Sequence, residues 1–178
     1  MILSYIHLRL SLSIQAVNLL SKLGYQVSAL SGKNKGFLKE LGAKKIISRD
    51  DFKISGKPLQ SEKWDAAIDT VGGDILSTII SQIKYNGIIA STGLAKSSKL
   101  ETTVFPFILR NITLAGVDCV YASYQKRIIA WKFLEDHLDY GVIENIKSLK
   151  SISDLPDLAN KIINGHIKGR TVIDVNTI

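Results

Sequence analysis

The chain has 178 residues, of which 46% are hydrophobic and 22% are charged, and its net charge is +7. This composition is typical of a folded globular protein with one good core, and it argues against intrinsic disorder. The single cysteine excludes a disulfide framework and a cysteine-rich zinc site, and it favours a cytoplasmic location.

The positive charge is compatible with two kinds of partner. Nucleic acid is disfavoured, because the lysines and arginines are scattered and no aromatic platform is interleaved with them. A polyanionic cofactor suits the same charge without a further assumption. No membrane interaction is predicted, since the sequence lacks a charge-free apolar run of about 18 residues. His7, His137 and His166 are far apart in sequence, so no metal site is predicted.

Three strands are predicted at the start of the chain. Residues 6–14 alternate between apolar and polar side chains, which predicts a first strand. Helical spacing follows over residues 16–23, and Gly24 is the expected glycine at the end of that helix. YQVSAL (residues 25–30) predicts a second strand, and a short helix then ends at Gly42. KKIIS (residues 44–48) predicts a third strand.

The stretch over residues 64–94 organises the rest of the chain. AAIDTV and GIIAST are short apolar runs that are each followed by glycine, and residues 75–83 between them repeat apolar side chains at helical spacing. A helix between two buried strands predicts a right-handed parallel unit. Ligands of such sheets bind beyond the carboxyl ends of the strands. Residues 69–73 and 91–95 are therefore the predicted rim of a binding crevice.

The remaining elements continue the alternation. Residues 50–63 and 96–104 are predicted loops, PFILRN (residues 106–111) a short helix, and NITLAGVD (residues 111–118) a sixth strand. A helix is predicted to end at Gly141, followed by a strand near residues 146–149, a helix over 153–164 and a last strand, RTVIDV. The predicted fold is α/β, a Rossmann-like doubly wound parallel sheet over residues 1–141 with a C-terminal strand-helix-strand piece over 142–178.

Six segments carry a resemblance to a known family. They are KLGYQVSALSGK, LGAKKIISRDDF, AAIDTVGGDIL, NGIIASTGLA, TTVFPFILRNITLAGVD and INGHIKGRTVIDV. In this order and at these spacings, over about residues 16–178, the chain resembles the medium-chain dehydrogenase/reductase superfamily. Within that superfamily it is similar to the zinc-free quinone-oxidoreductase-like branch that reduces acrylyl-CoA with NADPH.

The resemblance implies a function and a domain organisation. It implies an NADPH-dependent oxidoreductase with NADP(H) as cofactor and an activated alkene, an acyl-CoA or a quinone as the small-molecule substrate. Residues 1–141 would be the NADP-binding domain, and residues 142–178 a remnant of a catalytic domain whose GroES-like N-terminal part is missing from this sequence. No catalytic residue is assigned. The alternative is a catalytically inactive, truncated nucleotide-binding or dimerisation module.

The glycine-rich turn of the family has no counterpart in the sequence. Its position falls on residues 10–13, which are Leu-Ser-Leu-Ser. Glycine is needed in such a turn because the turn is tight and because the backbone must approach the pyrophosphate without an intervening Cβ. We therefore expect dinucleotide binding to be weaker than in full-length relatives.

The candidate cofactor-binding residues follow from the strand ends and from the resemblance. Ser31, Gly32 and Lys33 end the second strand without an acidic residue, which suits a 2′-phosphate, although a solvated turn is the alternative. Lys45 and Arg49 are expected after the third strand, where they would add charge or simply lie at the surface. The remaining candidates are Thr70, Val71, Gly93 and Leu94 beside the cofactor, with strand-end packing as the alternative, and Ile108 and Cys119 at the nicotinamide end.

One interaction between chains is also implied. The strand over residues 111–118 is expected at an edge of the sheet, where unpaired backbone groups favour pairing with a second copy. Relatives in the superfamily join such edges about a two-fold axis. A homodimer through this strand is therefore predicted, whereas Arg110 and Asn111 are expected to be structural.

Overall fold

The computed structural model describes residues 2–5, 11–31, 35–48, 50–164, 166–167 and 169–177. Six parallel strands form one sheet in the order β3-β2-β1-β4-β5-β6. The strands are β1 Ile2–Tyr5, β2 Val27–Leu30, β3 Lys45–Ile47, β4 Trp64–Asp69, β5 Ile83–Ser91 and β6 Thr113–Gly116. The order reverses between β1 and β4, as in doubly wound sheets. The predicted Rossmann-like α/β fold is confirmed.

Helices lie along the chain between and after these strands. They are α1 Ser11–Lys22, α2 Lys35–Glu40, α3 Gly73–Gln82, α4 Phe105–Arg110, α5 Tyr124–His137, α6 Tyr140–Ile146 and α7 Leu155–Ile163. Two further strands, β7 Lys147–Ser151 and β8 Arg170–Asp174, pair in parallel as a separate two-stranded sheet. The predicted unit over residues 64–94 is therefore β4, α3 and β5, and the predicted sixth strand is the edge strand β6.

Two hydrophobic cores lie in the described part of the chain. The first contains Trp64 of β4, Ile79 of α3 and Ile89 of β5. The second contains Ile14 of α1, Val27 of β2 and Leu38 of α2, and Ile146 of α6 joins it. Helices therefore bury apolar side chains against both faces of the sheet, which is the arrangement that a doubly wound topology requires.

The predicted first strand over residues 6–14 is wrong at residues 11–14. Residues 11–14 form the first turn of α1, and the first strand is Ile2–Tyr5 instead. Residues 6–10 lie outside the described part of the chain. Alternation misled the prediction, because the helix turns Ser13 inward and Leu12 outward: Ser13, Ile14 and Val17 are fully buried, whereas Leu12 is 45% exposed. The helix ends as expected, with Gly24 at a φ of 85°.

The predicted helix end at Gly141 is also wrong. The helix α5 ends at His137, and Leu138 is extended, with φ −78° and ψ 143°. The carboxylate of Asp139 then accepts the N–H of Gly141 at 2.9 Å, and Gly141 lies within α6. A glycine pattern could not reveal this second helix, because burial of Ile146 against α1 and α2 stabilises it.

The described part of the C-terminal piece from β7 onward has no core of its own. None of the described residues among 147–177 is buried. Its apolar side chains are largely exposed, for example Leu149 by 61% and Ile163 by 75%. An apolar surface of this kind is typical of a segment that packs against another structure.

Arg110 joins α4 to the end of α3. Its side chain is 14% exposed and lies 3.4 Å from Glu62. The guanidinium donates hydrogen bonds to the carbonyls of Ser81 at 2.8 Å, Ile83 at 3.1 Å and Gln60 at 2.5 Å. The carbonyls of Ser81 and Ile83 lie at the end of α3, where intrahelical donors are lacking, and that of Gln60 lies in the loop before β4. The structural role expected for Arg110 is consistent with these contacts.

We predict that Arg110→Ala lowers the free energy of unfolding by about 2 to 4 kcal/mol, because partly buried carbonyls lose a charged donor. Urea denaturation measures this loss. Arg127→Ala is the matched control, since Arg127 also donates to carbonyls, those of Cys119 and Val120, but is exposed. Its cost should stay below about 1 kcal/mol. Equal losses in the two variants would contradict the assignment.

Candidate functional site

The turn that follows β4 is held by the carboxylate of Asp69. This side chain is fully buried, and it accepts the N–H of Val71 at 3.2 Å and that of Gly72 at 3.1 and 3.2 Å. Ser91, at the end of β5, donates its hydroxyl to the same carboxylate at 3.4 Å. An aspartate that bonds the backbone two and three residues ahead is a recurrent way to fix a turn. The predicted rim at residues 69–73 is thus a well-defined turn.

The loop after β5 packs directly on this turn. Thr92 donates its N–H to the carbonyl of Asp69 at 2.8 Å. The N–H groups of Ala95 and Lys96 are donated to the carbonyls of Thr70 and Val71 at 3.4 and 2.9 Å. Residues 69–73 and 91–97, which we call the two rim loops, are therefore joined by their backbones at the carboxyl ends of β4 and β5.

Glycine is required at two points where the rim loops meet. A Cβ at Gly93 would lie 2.6 Å from the carbonyl oxygen of Thr70. Gly72 has a φ of 69°, and a Cβ there would collide with the carbonyl of Ser97. Only a residue without a side chain allows this approach. The TVGG and TGL sequences are thus explained by the contact between the loops.

The rim carries one buried carboxyl group and, beside it, one exposed ion pair. Burial raises the pKa of the Asp69 carboxyl above its ordinary value of 3.8, and this outweighs the lowering by the N–H groups of Gly72 and Val71 and by the Ser91 hydroxyl. Nearby, Lys96 forms an exposed ion pair with Asp74 at 2.7 Å. Sequence reasoning missed the role of Asp69, although an aspartate followed by TVGG at a strand end is a signal that could have indicated it.

The candidate residues near β2 and β3 are only partly described. Gly32, Lys33 and Arg49 lie outside the described residues. Ser31 is fully buried, and its N–H is donated to the carbonyl of Ile47 at 2.9 Å. Lys45 does not follow the third strand as expected, because it is the first residue of β3 and pairs with Ser28. Its side chain is exposed.

Four candidate residues lie on the rim loops. Thr70 and Val71 are each 1% exposed, so their backbone is what this turn can offer to a ligand. Gly93 lies against Thr70, and Leu94, which follows it, is 66% exposed. The structure thus brings these four predicted residues together, and it presents Leu94 as the accessible side chain among them.

Ile108 and Cys119 lie further along the chain. Ile108, on α4, is 68% exposed, and Cys119 is exposed in the segment after β6. That segment is held by Arg127, whose guanidinium donates to the carbonyl of Cys119 at 2.6 Å. The N–H of Val117 is donated to the carbonyl of Ser91 at 2.9 Å, so the segment begins beside the second rim loop.

The start of α1 differs from a glycine-rich turn. Ser13 is fully buried, and its hydroxyl has no hydrogen-bond partner within the described part of the chain. Leu12 is 45% exposed at the same end of the helix. A buried hydroxyl without a partner costs about 1 to 3 kcal/mol. Leu12 and Ser13 place side chains at the start of α1, where close approach of a ligand to the backbone requires residues without them.

A groove of about 760 Å³ runs along α3 and shares Gly73, Lys96 and Ser97 with the rim loops. Its lining also includes residues 54–58 and 99–103, together with Asp74, Ser77 and Ser81. None of the predicted cofactor residues that the structure describes lines this groove.

The described residues contain no group of three or more His, Cys, Asp or Glu side chains that could hold a metal ion. None of the helices in this part of the chain has the length and the apolar character that a membrane crossing requires. The absence of a metal site and the cytoplasmic location remain predictions from the sequence.

Comparisons with known proteins agree with the predicted resemblance. Residues 12–135 match the family described as zinc-binding dehydrogenase. The probable acrylyl-CoA reductase AcuI of Escherichia coli strain K12 is 44% identical over 163 residues, which are 90% of this chain and 50% of that protein. The chain therefore spans about half the length of the curated relative it matches.

Two solved structures that are 40% and 32% identical to this chain share its fold. The yhdH oxidoreductase from Salmonella enterica, in complex with NADP, has a TM-score of 0.91 at 40% identity, over 98% of this chain and 54% of that one. The yhfP protein of Bacillus subtilis, with NAD bound, has a TM-score of 0.89 at 32% identity, over 98% of this chain and 54% of that one. The matches confirm the predicted resemblance and fold.

We predict that Asp69 makes stability fall as pH rises. Its folded pKa is raised, so the folded chain keeps a proton at pH values where the unfolded chain has lost it. Relative to Asp69→Asn, the chain should lose free energy of unfolding as pH rises from 3.8 through the raised pKa. Urea denaturation across this range measures the difference between the two proteins.

Asp139 provides a control of opposite sign. Its pKa is lowered, first by Lys22 and then by the N–H of Gly141. The stability that Asp139 contributes is therefore present above the unfolded pKa and is lost as pH falls through the folded one. If the Asp69 difference also grew with rising pH, burial would not be the dominant influence on Asp69.

Proposed function

Because the chain belongs to the zinc-binding dehydrogenase family, within the medium-chain dehydrogenase/reductase superfamily, we propose that it is the dinucleotide-binding part of an NADP(H)-dependent oxidoreductase. The observation that carries the proposal is the doubly wound sheet with two glycine-held rim loops at the carboxyl ends of β4 and β5. Ligands of this topology bind where the strand order reverses, here between β1 and β4. The NADP in the Salmonella relative supports the choice of cofactor.

The described residues fit a dinucleotide along the rim loops more closely than at α1. The turns that end β4 and β5 offer backbone groups and the exposed side chain of Leu94. At α1, Leu12 and the buried Ser13 stand where glycines would let the pyrophosphate approach. A helix start still favours an anion there. We propose that the chain binds the cofactor with reduced affinity.

The proposed substrate is an activated alkene, such as an acrylyl-CoA, or a quinone. The name of the Escherichia coli relative supports the first of these. When bound, NADPH supplies a hydride to such a substrate. The exposed apolar side chains of Leu94 and Ile108 would bind the nicotinamide end and exclude water from it. The residues that handle the substrate are not assigned to this chain.

A second candidate function is a nucleotide-binding or dimerisation module without catalysis. The buried hydroxyl of Ser13, which has no hydrogen-bond partner among the described residues, and the side chain of Leu12 at the start of α1 favour it. The two candidates differ in one measurable property. Turnover of acrylyl-CoA with NADPH supports the oxidoreductase, whereas binding of NADPH without turnover supports the module. The proposed location for either is the cytoplasm.

We predict that restoring Gly-Gly-Val-Gly at residues 10–13 tightens NADPH binding by tenfold or more, because the backbone can then approach the pyrophosphate. Titration followed by NADPH fluorescence measures both chains. A variant with Ala-Ala-Val-Ala at these positions controls for the loss of the serines and leucines. If the restored chain binds no better than this control, the account of the turn is wrong. No binding by either chain would overturn the proposed function.

We predict that the chain prefers NADPH to NADH, with Lys33 as the main reason. A charged contact with the 2′-phosphate contributes about 1.5 to 3 kcal/mol, so Lys33→Glu should weaken NADPH tenfold or more and affect NADH less. Lys150→Glu makes the same charge change on β7, in the separate sheet, and should leave both affinities unchanged. Equal affinities of the unchanged chain for the two cofactors would remove the idea.

We also propose a homodimer through the edge strand β6. The N–H of Val117 points to β5, and the direction alternates along a strand, so the N–H groups of Leu114 and Gly116 point away from the sheet. A two-fold contact between two such edges extends the sheet with the same patch on both chains.

Leu114→Pro should convert the dimer to monomer, since it removes an outward donor from this edge. Light scattering at tens of micromolar reports the mass. Lys45→Pro makes the equivalent change in β3, the opposite edge strand, and should leave the dimer intact. A monodisperse monomer of the unchanged chain would contradict the proposal.

A further inference from the structure

We propose that Asp69 is a positioning residue for the dinucleotide site, because its carboxylate fixes the backbone of both rim loops together. Its relation to a cofactor rests on the proposed function, whereas the coupling between the loops rests on contacts within the chain. The four predicted cofactor residues of the rim, Thr70, Val71, Gly93 and Leu94, all lie on these loops.

The Asp69 carboxylate fixes the turn that follows β4. The carboxylate accepts the N–H groups of Val71 and Gly72, at 3.1 to 3.2 Å, from inside a fully buried position. Peptide groups are planar, so fixing these N–H groups also fixes the carbonyls of Thr70 and Val71, which belong to the same peptide units. The side chain of Asp69 therefore determines where these two carbonyls point.

The carbonyls of Thr70 and Val71 in turn hold the loop that follows β5. Thr70 accepts the N–H of Ala95 at 3.4 Å, and Val71 accepts those of Lys96 at 2.9 Å and Ser97 at 3.4 Å. The acceptors are thus the carbonyls that the carboxylate has oriented. Gly93 lies against Thr70 with no room for a Cβ, so a movement of the first loop displaces the second.

A third contact closes the connection. Ser91 donates its hydroxyl to the Asp69 carboxylate at 3.4 Å from the last position of β5, where the second loop begins. The carboxylate therefore touches both loops directly. Asp65, also on β4, pairs instead with Lys84 at 2.9 Å, which makes it a matched comparison.

Hydrogen exchange of the unliganded chain tests the coupling without any cofactor. Asp69→Ala should speed exchange of the Val71 and Gly72 amides and also of the Ala95 and Lys96 amides by tenfold or more. Asp69→Asn keeps one acceptor oxygen and should restore part of the protection in both loops. Asp65→Ala should change neither loop. Faster exchange confined to Val71 and Gly72 would overturn the proposal.

NADPH titration of the same variants tests the consequence for the site. Asp69→Ala should weaken binding tenfold or more, with Asp69→Asn between it and the unchanged chain. Unchanged affinity in Asp69→Ala would overturn the positioning role even if both loops exchange faster. If the unchanged chain binds no NADPH, the proposed function fails, and hydrogen exchange still decides the coupling.

The coupling between the rim loops can still be tested if Asp69→Ala does not fold. If circular dichroism shows that Asp69→Ala is unfolded, Ser91→Ala removes only the contact from β5. It should speed exchange at Gly72 and at Ala95 by severalfold. Unchanged exchange at both positions in Ser91→Ala and in Asp69→Asn would then overturn the proposal.

Discussion

Burial of α3 between the sheet and two loops is the constraint on which most of the described structure depends. Eight of its ten residues are buried. Its last carbonyls accept hydrogen bonds from Gln60, Lys63 and Arg110, and the hydroxyl of Thr78 accepts one from Ser55. The helix therefore sets the course of the loop before β4 and of α4. Polar contacts at its end replace the donors that a helix lacks there.

The same unit places the candidate site. A parallel crossover brings the carboxyl ends of β4 and β5 side by side, and the two loops that leave them meet through backbone hydrogen bonds and glycines. A ligand at this edge encounters a backbone already ordered by the buried carboxylate of Asp69. Loops fixed in this way bind with little further ordering, which preserves affinity. In the proposed binding mode the weaker part is the start of α1, where Leu12 and Ser13 stand at positions that the resemblance assigns to glycines.

Sequence patterns predicted the elements whose periodicity and flanking glycines agree, above all the unit from β4 to β5 and the edge strand β6. They failed at residues 11–14, since α1 buries Ser13 beside Ile14 and exposes Leu12, which alternation does not predict. They also failed at Gly141, since tertiary burial of Ile146 rather than local sequence specifies α6. The rim was predicted from topology. Its internal contacts were not, because they depend on which carbonyls Asp69 orients, and periodicity contains no information on that.

The exposed apolar surface of the C-terminal piece and the start of α1 bear on the activity of the chain. The rim loops bear on where a dinucleotide would bind. The most direct test is a heteronuclear NMR titration of the chain with NADPH. The account predicts chemical-shift changes at the amides of Thr70, Val71, Gly93 and Leu94, with little change at Lys57 and Ser77 in the groove along α3. Changes confined to that groove, or none at saturating NADPH, would contradict it.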